Sequence, residues 1–229
     1  MLEGAAVERM ERKVMAQYKL HCFCQSGNSY KVALYLACAE LDWEPIFVDF
    51  MHGATRDPKW RESVNEMGEA PVLETAAGKL SQSGAILVQL AEGTGKFAPQ
   101  SEAERIETLR WILFDNHKFT SYLASYRFLK SFAPQAADPN VLAFLQARFD
   151  AAARVLDKHL AQSKFAVAGR PTIADFSLAG YVFYPLEEHG YDWAKSHPNI
   201  HAWRERMRAL AGWKDPYQLM PGERIKPLR

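Results

Sequence analysis

Cysteine is scarce in this chain: three in 229 residues, Cys22, Cys24 and Cys38. An odd, low number supplies no disulfide framework and predicts a reducing, cytoplasmic setting, with the thiols held as small buried hydrophobes. Cys22 and Cys24 are spaced Cys-x-Cys, not the Cys-x-x-Cys of redox sites, and on a strand they would share a face. Cys24 stays a candidate because it adjoins the loop described below. Charge of one sign is also lacking. Twenty-eight basic residues face 27 acidic ones, a net charge of +1, so there is no electrostatic case for nucleic acid or an anionic membrane as partner. No apolar run approaches the roughly 20 residues of a membrane span. Residues 1–17 have no apolar core of the secretory kind and carry Glu3, Glu8, Arg9, Glu11, Arg12 and Lys13. With Val7, Met10 and Val14 at helical spacing they read as an arm or a short helix. The seven histidines show no metal spacing: His197 and His201 are four apart, but neither the Glu nor the third ligand of a zinc motif accompanies them. No metal is expected. Gly93-Thr94-Gly95-Lys96 lacks the full phosphate-loop spacing and follows a helix, so it reads as a turn.

The hydrophobic fraction of 48% supports a sizeable core in one large domain or two small ones. Residues 18–24 read as a strand. The next run places Val32, Tyr35, Leu36 and Ala39 on one helical stripe and Leu34, Cys38 and Leu41 on a second, which predicts a helix to about 41 buried on two sides. Residues 45–50 read as a second strand, parallel to the first through a right-handed crossover. A polar stretch with a short helix near 58–64 follows, then Glu69-Ala70-Pro71-Val72-Leu73 with a proline at a strand start, open to a cis bond. The turn 76–78 and residues 79–81 complete a hairpin, and Ser83 caps a helix with Ile86, Leu87 and Leu90 inside. The order is β-α-β-α-β-β-α on a mixed sheet. Past residue 100 the pattern is all helical, with Pro134 and Pro139 as punctuation and a capping-box sequence at Thr172-Ile173-Ala174-Asp175 opening a helix through 184. The prolines after 213 predict an irregular tail. The expected division is an arm at 1–17, an α/β unit at 18–92, a linker at 93–100, a helical unit at 101–213 and the tail at 214–229.

The chemistry centres on Ser26-Gly27-Asn28-Ser29-Tyr30-Lys31-Val32, a polar loop leading from a strand into a helix. The first N–H groups of a helix are unpaired and its dipole favours negative charge, so an anion fits there, with a serine hydroxyl as a further donor. An ordinary N-cap explains the same residue types, with Ser29 as the cap.

Taken together, these segments resemble the cytosolic glutathione transferases of the bacterial, theta-like and zeta-like serine type. Four matches carry the resemblance: the loop 26–32; Glu69-Ala70-Pro71-Val72-Leu73, similar to the family's cis-proline segment; Gln82-Ser83-Gly84-Ala85-Ile86, similar to its acid-or-glutamine-then-serine motif; and Ala168 to Phe176, similar to its capping box and staple. It covers about 18–213 and implies a thioredoxin-like N-terminal domain and an all-α C-terminal domain, with glutathione as co-substrate, a hydrophobic electrophile as second substrate, and a homodimer.

By that resemblance Ser26 contacts the glutathione sulfur, with Asn28 and Ser29 as alternatives. A free thiol has a pKa of about 8.5, and lowering it by about two units takes roughly 2.7 kcal/mol of preference for the anion. One hydroxyl donor to a charged acceptor supplies about 1.5–3 kcal/mol, and the helix terminus adds to it. The resemblance also implies that the backbone of Ala70, beside Pro71, pairs with the cysteinyl part, that Gln82 and Ser83 meet the γ-glutamyl end, and that Asp115 meets its ammonium or is a solvated helix charge. Arg56, or else His52 or Lys59, would take the glycyl carboxylate. Phe114, Phe119, Tyr122 and Tyr126 would line the electrophile's place or serve as core. Glu69 departs from the pattern, since relatives often carry Gln, Lys or Arg there, and a carboxylate beside a carboxylate opposes tight binding unless Arg56 compensates or Glu69 turns away. Reduction of peroxides or disulfides by glutathione, with Cys24 taking part, and a non-catalytic binding protein of the same fold are the other readings.

Overall fold

The computed structural model describes residues 16–229, so all but the last two residues of the expected arm lie outside the described residues. Strand β1 (Tyr18–Cys22) pairs in parallel with β2 (Trp43–Phe47) and antiparallel with β3 (Val72–Thr75), which pairs antiparallel with β4 (Gly78–Ser81). The sheet order is β2-β1-β3-β4. Pro45 lies inside β2, where its missing N–H is tolerated because β2 is the edge strand. β1 stops at Cys22, short of the expected Cys24, because the chain there leaves the sheet: the Cys24 N–H donates to the Pro221 carbonyl at 2.9 Å.

Helix α1 (Gly27–Cys38) is buried almost all round; Val32, Ala33, Leu34, Tyr35 and Leu36 are fully buried. The two stripes in its sequence therefore meet the sheet on one side and the helical half on the other. It ends at Cys38, where the chain turns through a left-handed Glu40 (φ 55°). After a single 3-10 turn at Ala54–Arg56 come α2 (Pro58–Ser63) and, beyond the hairpin, α3 (Ser83–Thr94).

The helical half starts with α4 (Glu102–Phe114), which runs through a wide π turn (Asp115–Phe119) into α5 (Thr120–Ser131). Helix α6 (Pro139–Leu160) packs along α5. Helix α7 (Ile173–Leu178) has the expected capping box: the Thr172 amide donates to the Asp175 carboxylate at 2.9 Å. That carboxylate also accepts from the Ala166 amide at 2.8 Å and the Trp203 indole at 3.0 Å. α7 is shorter than the sequence suggests. Gly180 lies so close to α1 that an added Cβ would sit 2.7 Å from Lys31 Cε, and the turns that follow bring Tyr181 against Gly27. Short helices α8 (Leu186–His189) and α9 (Trp193–Ser196) lead to α10 (Pro198–Arg208).

The tail is not a loose surface strand. One helical turn, α11 (Pro216–Leu219), starts with Pro216 at its first position. Residues 221–229 then strap the two halves together. The Gln25 amide donates to the Glu223 carbonyl at 2.5 Å, Leu228 N–H to the Ser131 carbonyl at 2.8 Å, and Arg229 to carbonyls at 133–135. Among the described residues no helix is long and apolar enough to cross a membrane.

Candidate functional site

A cavity of about 510 Å³ opens where α1 begins, between the α/β half and α5. Ser26, Asn28, Arg56, Glu69 and Ala70 line it from the first half; Ser125, Arg127, Phe128, Phe132 and Tyr181 line it from the second. A small cavity of about 40 Å³ shares Asn28, Glu69 and Ala70 with it and adds Pro71, Gln82, Ser83 and Asn116. A somewhat larger cavity, about 590 Å³, lies away between α3, the linker and α4, without any of these groups.

Ser26, not Ser29, is the N-cap of α1: its Oγ accepts from the Ser29 amide at 3.1 Å. That bond uses a lone pair and leaves the Ser26 proton free to be donated. Ser29 is fully buried, with its hydroxyl unpartnered among the described residues, as is Asn28 Oδ1. The Ala70–Pro71 bond is cis, and among the described residues the Ala70 amide and carbonyl carry no hydrogen bond. Gln82 takes a left-handed backbone (φ 70°), unusual for a side chain of its size, just before Ser83 opens α3. Its amide donates to the Glu69 carboxylate at 2.9 Å, so that carboxylate is turned toward Gln82. Arg56 is exposed and makes no ion pair among the described residues.

Seven other expected positions lie elsewhere. Asp115 is neither at the cavity nor solvated. It is fully buried, pairs with Lys31 Nζ at 2.6 Å and accepts from Thr120 and Ser177 hydroxyls at 2.7 Å each. Burial lowers the Lys31 pKa while Asp115 pulls it back up. Phe119 is core, its ring 5.1 Å from Phe149. Phe114 packs edge-on to Trp111, Tyr122 meets Arg148, and Tyr126 packs on Tyr191. His52 is exposed on Asp49. Cys24 is buried with its thiol toward the Glu223 carbonyl, and burial pushes its pKa up to about 11. The other two thiols are likewise pushed up to about 12 by burial. All three cysteines are free.

The apolar wall of the cavity comes instead from Phe23, Phe50, Phe128, Phe132 and Tyr181. The Phe23 and Phe50 rings stack at 4.8 Å. Sequence reasoning missed Tyr181 and Arg127. Burial raises the Tyr181 pKa, against the pull of Arg127, the Gly27 and Asn28 amides and the Ser26 hydroxyl. Arg127 is buried. It donates to Glu188 and, through Nη1, to the Gln25 carbonyl at 2.9 Å, fixing the loop one residue before Ser26. Neither has a local sequence signal, since what places each at the cleft is its contact with Gln25 or Gly27, far off in the chain.

The family model for the glutathione S-transferase N-terminal domain matches residues 16–92, and that for the C-terminal domain matches 135–206. The chain is 31% identical to disulfide-bond oxidoreductase YfcG of Escherichia coli K12, over 82% of this chain and 88% of that protein. The chain belongs to the glutathione S-transferase family. This glutathione S-transferase is also 27% identical to glutathione S-transferase F14 of Arabidopsis thaliana, over 86% of this chain and 82% of that one. Among solved structures, a possible glutathione S-transferase from Rhodopseudomonas palustris superposes with a TM-score of 0.79 at 33% identity, covering 87% and 89% of the two chains. The glutathione S-transferase fold accounts for both halves: a thioredoxin-like unit with its four-stranded mixed sheet, and a helical unit after it.

Proposed function

We propose that this enzyme binds glutathione across the two cavities and ionises its thiol at the mouth of α1. The observation that carries the reading is the position of Ser26. It caps a twelve-residue buried helix, uses only a lone pair in doing so, and lines the same cavity as Ala70. A sulfur there receives the serine proton donor and the first amides of α1, both fixed before the thiolate forms. Ala70 offers its amide and carbonyl to the cysteinyl backbone, as an added strand would. Gln82 and Ser83 hold the γ-glutamyl end, and Arg56 the glycyl carboxylate. Because Glu69 is bonded to Gln82, its repulsion of that carboxylate is eased. The electrophile sits against Phe23, Phe50, Phe128 and Phe132, and the reaction is addition or displacement by positioned thiolate, without a covalent protein intermediate.

Relatedness to YfcG favours a second reading, in which two glutathione thiolates reduce a disulfide substrate to two thiols and leave as glutathione disulfide. Both readings need the same ionised sulfur. Cys24 has no part in either, since its thiol is buried and its pKa raised. A second copy of the chain would cover α4, where Ile106, Leu109 and Leu113 lie exposed along one side.

The test follows thiolate absorbance of bound glutathione across pH, with turnover of an aromatic chloride and a small disulfide. Ser26→Ala is expected to return the bound thiol toward the free value of about 8.5 and to cost about 10²-fold in kcat. An unshifted thiol in the parent, or full activity in Ser26→Ala, would refute the assignment; loss only in Asn28→Ala moves the donor to Asn28.

A further inference from the structure

A fourth cavity, about 440 Å³, is formed by residues 183–186, α10 and the tail. Arg204 and Arg208 of α10 and Arg224 of the strap line it, with Tyr217, Gln218 and the one carboxylate among its lining residues, Asp215. Two of the arginines have partners outside the cavity. Arg208 is held by Glu205, and Arg224 by Glu187, with Glu188 at 3.3 Å. Arg204 has none. It is only 8% exposed, it makes no hydrogen bond or ion pair among the described residues, and its Nε is buried and unpartnered. Its guanidinium lies over Phe183 at 5.4 Å and Trp193 at 5.7 Å. Stacking on rings offsets part of the cost of burying a cation but leaves the Nε–H donor unused. Burial, and after it the positive charge of Arg208, pushes its pKa down to about 10.

We infer that this cavity is a binding site for a phosphoryl oxyanion, free phosphate or the phosphate of a small monoester, with Arg204 as its principal ligand. Arg208 and Arg224 keep N–H donors beyond those their carboxylates take, and with Arg204 they line one cavity that holds a single carboxylate, Asp215. A phosphoryl group presents three or four acceptor oxygens to such a set. The Arg204 Nε–H would then exchange a buried, unpartnered state for a charge-assisted hydrogen bond. The inference is independent of the glutathione reading, for none of these residues lines either of the first two cavities.

Isothermal titration of inorganic phosphate into the full chain at low ionic strength tests it. One saturable site with a Kd of about 1 mM or tighter is expected, together with a melting temperature that rises with phosphate. Arg204→Met and Arg208→Gln should each weaken binding by about tenfold or more. Arg56→Gln, which removes the exposed cation of the glutathione cleft, should leave phosphate binding unchanged. Should Arg204→Met fail to fold by circular dichroism, Arg208→Gln decides, its side chain being one-third exposed. Absence of saturation by about 50 mM, unaltered binding in Arg208→Gln, or loss of binding in Arg56→Gln would each overturn the assignment.

Discussion

The buried pair Lys31–Asp115 illustrates how much one side chain can decide. Both groups are fully buried and bonded at 2.6 Å, and Asp115 also accepts two hydroxyls. Removing one member of such a pair strands the other charge in a dry interior, at about 3–5 kcal/mol. Asp115→Ala is therefore expected to lower stability by that amount in chemical denaturation. Lys31→Met with Asp115→Leu should recover most of it, because the desolvation cost disappears with both charges. A single-variant loss below about 1 kcal/mol would show that solvent reaches the pair. The position of Asp115 was not legible in the sequence. A face assigned by 3.6-residue periodicity holds only while the helix stays regular, and the π turn at Asp115–Phe119 breaks the register there. It turns Asp115 and Phe119 inward together. Ser26, Ala70, Pro71, Gln82, Ser83 and Arg56, whose roles toward glutathione are proposed above, could be named from sequence because each sits where a strand meets a helix or a turn, and all six line the two adjoining cavities.

Elements with strong period and clear end signals were the readable ones. The mixed sheet, α1 with its two apolar stripes and the capping box of α7 were all present in the sequence. α7 adds a pH dependence. Asp175 is fully buried, and burial raises its pKa from 3.8 to about 6 despite four hydrogen bonds to it. The folded protein thus holds this proton more tightly than the unfolded chain does. Stability contributed by the protonated form is complete at low pH and is lost as pH rises from about 4 through about 6. Asp175→Asn, which cannot ionise, should be less stable than the parent for loss of the box, but the deficit should shrink between those pH values. A deficit that grows with pH, measured by urea unfolding at each pH, would show that the hydrogen bonds outweigh burial. The aromatic wall of the cleft was illegible for a different reason: Phe23, Phe50, Phe128 and Phe132 come from three separated segments, and only packing brings them together.

At the scale of the molecule the tail is the least expected feature. Prolines at 216, 221 and 227 suggested an irregular surface run, and no sequence period reports that a strand-like segment will bond back to residues 24 and 25. Its bonds hold the loop that carries Ser26 and tie it to α5. Deleting 221–229 is expected to lower the melting temperature by about 5–10 °C. It should also raise KM for glutathione more than it lowers kcat, since the loop is loosened and the sulfur donor itself is kept. Unchanged values of both would mean that the loop is held by Arg127 and Tyr184 alone.

The same packing has a practical side. With all three native thiols buried and their pKa values raised, a maleimide dye finds almost no thiolate to attack at neutral pH. A cysteine placed at an exposed point such as Ala161 can therefore be tagged alone. Fluorescence experiments on this chain need no prior removal of its own sulfur.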